Sequence, residues 1–230
     1  MQPELQPRSP YAVAGELGLQ QRVLRNTYLL LALTMVPTVI GAMIGMATGA
    51  IVMQHPIITS LVMLGAVIGL QFAIAANRDS GLGIALLLLM TLLLGWWLGP
   101  LLTIALALRN GPQLVGYAAL GTGAIFFVMA GIATTTKRDF SFMGKFLFVG
   151  MLVLVVAMIA NMFLQIPALA LTISSLVIVV FSLFLLHDVS RIVNGGETNY
   201  VMATTSVYIS LFNIFANLLQ LLMVLSGERD

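Results

Sequence analysis

The sequence predicts an all-α integral membrane protein with seven transmembrane helices. Three observations carry that prediction. The 230-residue chain is 60% hydrophobic and only 8% charged, with a mean hydropathy of +1.07, whereas a soluble domain carries about 25% charge. The apolar residues gather into seven runs, each near the ~20 residues that a bilayer core requires. No Lys, Arg, Asp or Glu falls in the middle of any run. Backbone groups in lipid must be satisfied within the segment, and long Leu- and Gly-rich runs do this as helices rather than as barrel strands.

Taken in order, residues 1–20 read as a short polar tail. They hold Glu4, Glu16 and three prolines, with no apolar stretch of the kind a cleavable signal needs. Residues 21–227 form the transmembrane domain, and residues 228–230 a short C-terminus. The runs are Thr27–Met53, Ile57–Ala76, Leu82–Leu108, Leu114–Thr135, Phe142–Leu164, Ala168–Leu186 and Tyr200–Leu225. The third, "LLGWWLGPLLTIALAL", is ambiguous. Either it continues past Gly99-Pro100 with a kink, or it ends at Trp96-Trp97 and Leu101–Leu108 lies along the interface. We expect the second, because Gly81 to Leu98 already spans about 27 Å at 1.5 Å per residue.

Basic residues set the orientation. With the N-terminus inside, the inner side holds Arg8, Arg22, Arg25, Arg78, Lys137, Arg138, Lys145 and Arg191, and the outer side only Arg109 and Arg229. The expected topology is therefore N-terminus cytoplasmic and C-terminus periplasmic.

Composition excludes several chemistries. There is no cysteine, and only His55 and His187 offer imidazole, so neither a disulfide framework nor a zinc site is expected, and no cofactor. A net charge of +2 gives no reason to expect nucleic-acid binding. Charges within the membrane usually mark proton relays, and none lies mid-helix. A Schiff-base pigment would need a membrane lysine. An intramembrane aspartyl protease would need two embedded aspartates, and only Asp188 is near the membrane. His187 has no G-x-S-x-G partner. We therefore expect no enzyme.

Two features remain as candidates for a gate or a polar core. In the seventh run, Ser206, Ser210, Asn213, Asn217 and Gln220 repeat at spacings of four and three, which is one face of a helix. Such a stripe must face other helices or water. It serves either as interhelical hydrogen-bond glue or as the lining of a polar, ion-conducting cavity. The second feature is "LLHDVSRIVNGGETNY" (185–200), between two charge-free runs. Asp188 and Arg191 are spaced for a helical pair. Gly195-Gly196 suits a helix stop, Glu197 the first turn of helix seven, and His187 an interfacial position.

Four segments resemble the Bax inhibitor family of seven-helix membrane proteins, and more closely its bacterial YccA-like branch. They are "RVLRNTYLLLALT" (22–34), "TKRDFSF" (136–142), "NMFLQIPAL" (161–169) and "NGGETNYVMATTSVYISLFNIF" (194–215). The resemblance implies six helices surrounding a central seventh, in a bacterial inner membrane. It implies a modulator of the FtsH-type AAA protease, and of membrane-protein quality control, whose cytoplasmic tail can be drawn into the protease. The alternative it implies is a calcium or proton leak channel gated by two aspartates. The first aspartate maps onto Asp188. The second maps onto Ser210 in "VYISLFN", so the carboxylate pair is incomplete here. Asp188 is then expected to be tied to Arg191 or to hydroxyls of helix seven.

Overall fold

A computed structural model describes residues 10–136 and 138–227. Seven helices are long and apolar enough to cross a membrane. They are α1 (Pro10–Gln54), α2 (Pro56–Ala76), α3 (Gly81–Ala107), α4 (Gly111–Thr136), α5 (Gly144–Leu164), α6 (Pro167–Val193) and α7 (Tyr200–Gly227). A 3₁₀ turn, Ser141–Met143, leads into α5. There is no strand among the described residues. α1 begins at Pro10 and so takes in the second half of the segment read as a tail. Residues 1–9, Lys137 and residues 228–230 lie outside the described residues, and with them Arg8 and Arg229 from the charge count.

Local chemistry breaks the chain where the runs break. Pro56 and Pro167 open α2 and α6, positions where a missing N–H costs nothing. α5 ends on Gln165 in the left-handed region, with φ 52°. There the amide of Gln165 donates to the Asn161 carbonyl at 2.8 Å, and the Asn161 side chain accepts from the Ile166 amide at 3.1 Å.

The most extensive contact between helices is that of α1 with α3. It is a backbone seam. A methyl group on Gly41 would collide with the Leu92 carbonyl, on Gly45 with that of Trp96, and on Gly95 with that of Thr38. One on Gly99 would meet the backbone of Gly45 itself. Where little hydrophobic force draws helices together, close approach of this kind is what dispersion forces need. Trp96 Nε1 adds a 2.8 Å bond to Thr48 Oγ1.

This seam explains a correction. α3 does not end at the tryptophans; it runs on to Ala107 with Pro100 inside it. Pro100 cannot donate to the Trp96 carbonyl, but the flanking glycines hold the helix against α1. The segment Leu101–Leu108 is not an interfacial strip. Leu101, Leu102, Ala105 and Leu108 pack with Leu114 and Ala118 of α4 and Leu219 of α7.

α7 packs against α6, α4, α1, α3 and α2. No residue from Val201 to Val224 is exposed. By contrast α2 and α5 turn large side chains outward, such as Phe72 and Phe146, as helices facing lipid do.

Candidate functional site

The last two turns of α6 are nearly all buried, including Leu185, Leu186, His187, Val189, Ser190 and Ile192. The cover is the α4–α5 connection. Ser190 Oγ donates to the Arg138 carbonyl at 3.1 Å and accepts from the Phe140 amide at 3.1 Å. Asn194 Nδ2 donates to Ser190 Oγ at 3.1 Å and to the same Arg138 carbonyl at 3.3 Å. His187 is covered by protein on this side. It is enclosed, edge-on to Phe184 with ring centres 6.5 Å apart. A methyl carbon on Gly144 would stand 2.8 Å from its Nε2, so the glycine at the start of α5 is what admits the ring.

Asp188 bonds to that ring. His187 Nδ1 and Asp188 Oδ1 lie 3.0 Å apart, with side chains 10% and 11% exposed. The expected ties of Asp188 to Arg191 or to a hydroxyl of α7 are not made. Arg191 instead reaches the Gly196 carbonyl at 3.2 Å and Glu197 Oε2 at 3.4 Å. The cause lies in the turn. Gly195 takes φ 76°, the left-handed conformation that glycine adopts cheaply. The chain folds back so that the amides of Gly196 and Glu197 bond the Arg191 carbonyl at 2.7 and 3.1 Å. That places the Glu197 carboxylate within reach of the guanidinium.

Glu197 is also not in the first turn of α7, which starts at Tyr200. The cap is Asn199, whose Oδ1 accepts from the amides of Val201 and Met202 at 3.0 and 3.1 Å. Its Nδ2 donates to Asp79 Oδ1 at 2.8 Å and to the Arg78 carbonyl at 3.1 Å. Asn199 thus joins the α6–α7 turn to the α2–α3 turn. Its signal in the sequence is an asparagine just ahead of an apolar run, a cap position distinct from the Glu197 expected there.

The stripe on α7 is turned from lipid. Ser210 is buried, and Ser206, Asn213, Asn217 and Gln220 are partly buried. Asn213 and Asn217 satisfy their amides on their own helix, donating to the Ile209 and Asn213 carbonyls at 2.8 and 2.9 Å. Among the described residues, the stripe's bond to another helix is Ser174 Oγ to Gln220 Oε1, at 3.5 Å. Most of the interhelical bonding of α7 comes from residues off the stripe. Tyr208 OH lies 2.7 Å from Thr38 Oγ1 and 3.4 Å from the Thr91 carbonyl. Thr204 reaches the Thr27 carbonyl at 3.3 Å, and Asn110 Nδ2 donates to Ser226 Oγ at 2.6 Å.

Seven helices long and apolar enough to cross a bilayer define a multipass membrane protein. The family profile described as "Inhibitor of apoptosis-promoting Bax1" matches residues 20–227, and the chain belongs to this Bax inhibitor family. It is 40% identical over 207 residues to an uncharacterized membrane protein of Vibrio cholerae, covering 90% of this chain and 91% of that one. It is 39% identical over 201 residues to the Escherichia coli K12 protein named modulator of FtsH protease YccA, covering 87% and 89%. A Neisseria meningitidis serogroup A protein is 38% identical over 209 residues, covering 90% and 92%.

Proposed function

We propose that the protein modulates an FtsH-type membrane protease, and through it membrane-protein quality control, in a bacterial inner membrane. The observation that carries this reading is the 39% identity to the E. coli modulator of FtsH protease over 87% of the chain. The reading assigns the protein no reaction of its own. The N-terminus is cytoplasmic by the distribution of arginine and lysine, which puts the start of the chain on the side where a cytoplasmic protease domain could engage it. The calcium-leak reading draws less support, since position 210 is serine and the bond of Asp188 goes to His187.

Three measurements test this. The full-length protein, purified from membranes, is expected to bring FtsH with it, and its overproduction to slow the turnover of a membrane substrate of FtsH. Deleting residues 2–9, ahead of α1, should leave the protein folded but resistant to the protease, so that it persists as an inhibitor. A reporter active only in the periplasm, fused after Asp230, should be active. Failure to co-purify FtsH together with unchanged substrate turnover would refute the reading. If flux of calcium into vesicles holding the protein were large and steeply dependent on pH, the channel would be the better account.

A further inference from the structure

Among the described residues the bundle has a long apolar cleft. It lies between α1 and α4, with α7 as its floor, and encloses about 840 Å³. Leu31, Met35 and Val39 line one wall, Ala119, Gly123 and Phe127 the other, and Leu211 and Phe215 the floor. On α1 it extends from Tyr28 to Ala42, about 21 Å at 1.5 Å per residue, or roughly two-thirds of a ~30 Å hydrocarbon core.

The chemistry of the cleft selects its occupant. The threonine hydroxyls that face it are already used by the protein. Thr122 donates to the Ala118 carbonyl and Thr38 to that of Thr34, both at 2.7 Å, and Tyr208 is engaged with Thr38. Their protons are spent within the protein, so a polar ligand would find no free donor there, whereas hydrocarbon needs none. One end of the cleft is basic. Arg25 is exposed and lies three residues before Tyr28 and seven before Ala32, so helical spacing sets it beside that lining face. Arg22 is exposed one turn further out.

We propose that this cleft binds one bilayer phospholipid with an anionic headgroup, an acyl chain lying between α1 and α4 and the phosphate at Arg25 and Arg22. The arginines supply the preference for anionic lipid, and the walls supply the seat for the chain.

The test is native mass spectrometry of the full-length protein, delipidated in detergent and titrated with phosphatidylglycerol or with phosphatidylcholine of the same chains. One phosphatidylglycerol per chain is expected, held more tightly than phosphatidylcholine. Arg25→Ala should weaken phosphatidylglycerol about fivefold, the worth of one arginine near an anionic headgroup, and leave phosphatidylcholine unchanged. Ala119→Phe with Gly123→Leu should abolish retention of both lipids. Nothing lies within 4 Å of a methyl carbon on Gly123, so its new side chain starts into open space; thermal unfolding in the same detergent checks that the filled variant stays folded, and Arg25→Ala changes only a surface side chain. Equal retention of the two lipids by the parent would overturn the proposal, as would retention unaffected by filling the cleft. A dimer that separates when the cleft is filled would assign the cleft to a second copy instead.

Discussion

On one side of α1, Gly41 and Gly45 bring its backbone against that of α3. On the other side, Leu31, Met35 and Val39 stand away from α4 and leave a cleft of about 840 Å³. Both faces are apolar, so hydrophobicity does not distinguish them. Side-chain size does. Between helices already surrounded by hydrocarbon, attraction comes from close contact, and close contact of backbones needs residues with nothing in the way. At the cleft the large side chains of α1 face Ala119 and Gly123, small residues of α4 that do not reach them, and space that lipid can fill is left. Tyr28 and Phe126 touch edge to face across the cleft, with ring centres 5.9 Å apart, so the two walls meet there through rings rather than through backbone.

The contrast breaks most sharply with glycine. Gly99→Ala puts a methyl group into the backbone of Gly45, and we expect a loss of about 3 kcal/mol, at the upper end for overpacking. Gly123→Ala, on the wall of the cleft, meets open space and should change stability by no more than about 0.5 kcal/mol. Thermal unfolding of the two variants in the same detergent checks both. Equal losses would show that the seam is no tighter than the cleft.

A second comparison sets shape against hydrogen bonding. At the end of α6, Ser190 serves both the Arg138 carbonyl and the Phe140 amide. Ser190→Ala leaves both without that partner and should cost about 2 kcal/mol. It should also speed hydrogen exchange across residues 138–143.

Thr38 belongs to both faces of α1. Its carbonyl is what a methyl on Gly95 would strike, and its hydroxyl holds Tyr208 on the floor of the cleft. Tyr208→Phe keeps the ring and removes the bond, so a loss of about 1 kcal/mol is expected, typical of a hydrogen bond within a membrane bundle. A much larger loss would mean that the bond, and not the glycine contact, aligns α1.

The smallest effect lies outside the membrane. The hydroxyl and the amide of Ser141, the latter at 2.8 Å from Oδ1, hold the Asp139 carboxyl below the usual range. A lowered folded pKa stabilises above the ordinary aspartate value of about 3.9, and the contribution fades as pH falls through the lowered one. The 3₁₀ turn Ser141–Met143 should therefore lose amide protection, measured against the intrinsic exchange rate at each pH, below about pH 4, and Asp139→Asn should remove that dependence on pH.

Part of the seam was open to a reader of the sequence. Gly41, Gly45 and Gly49 repeat every four residues, as do Gly95 and Gly99, the spacing that stacks small residues on one face of a membrane helix. Pro100 drew attention instead and suggested a break. Proline breaks a helix only when nothing else restrains it, and here α1 does. The candidate site was legible in a different sense. Asp188, Arg191 and the stripe on α7 were found from composition and period, but their partners were not. Helical spacing allowed Asp188 to meet Arg191, yet the turn at Gly195 carried Glu197 to that arginine, and the covering loop enclosed His187 beside Asp188.

The sequence by itself determined the class, the seven helices, most of the connections between them, and the family. Those features follow from quantities that add up along the chain: apolar length against bilayer thickness, and proline or glycine at the breaks. Only the tertiary structure decided which face of each helix meets which neighbour, that α3 continues through Pro100, and that a cleft opens between α1 and α4. Those depend on distances between residues far apart in the chain. A few tenths of a nanometre separate a glycine contact from a cleft, and no local pattern encodes them.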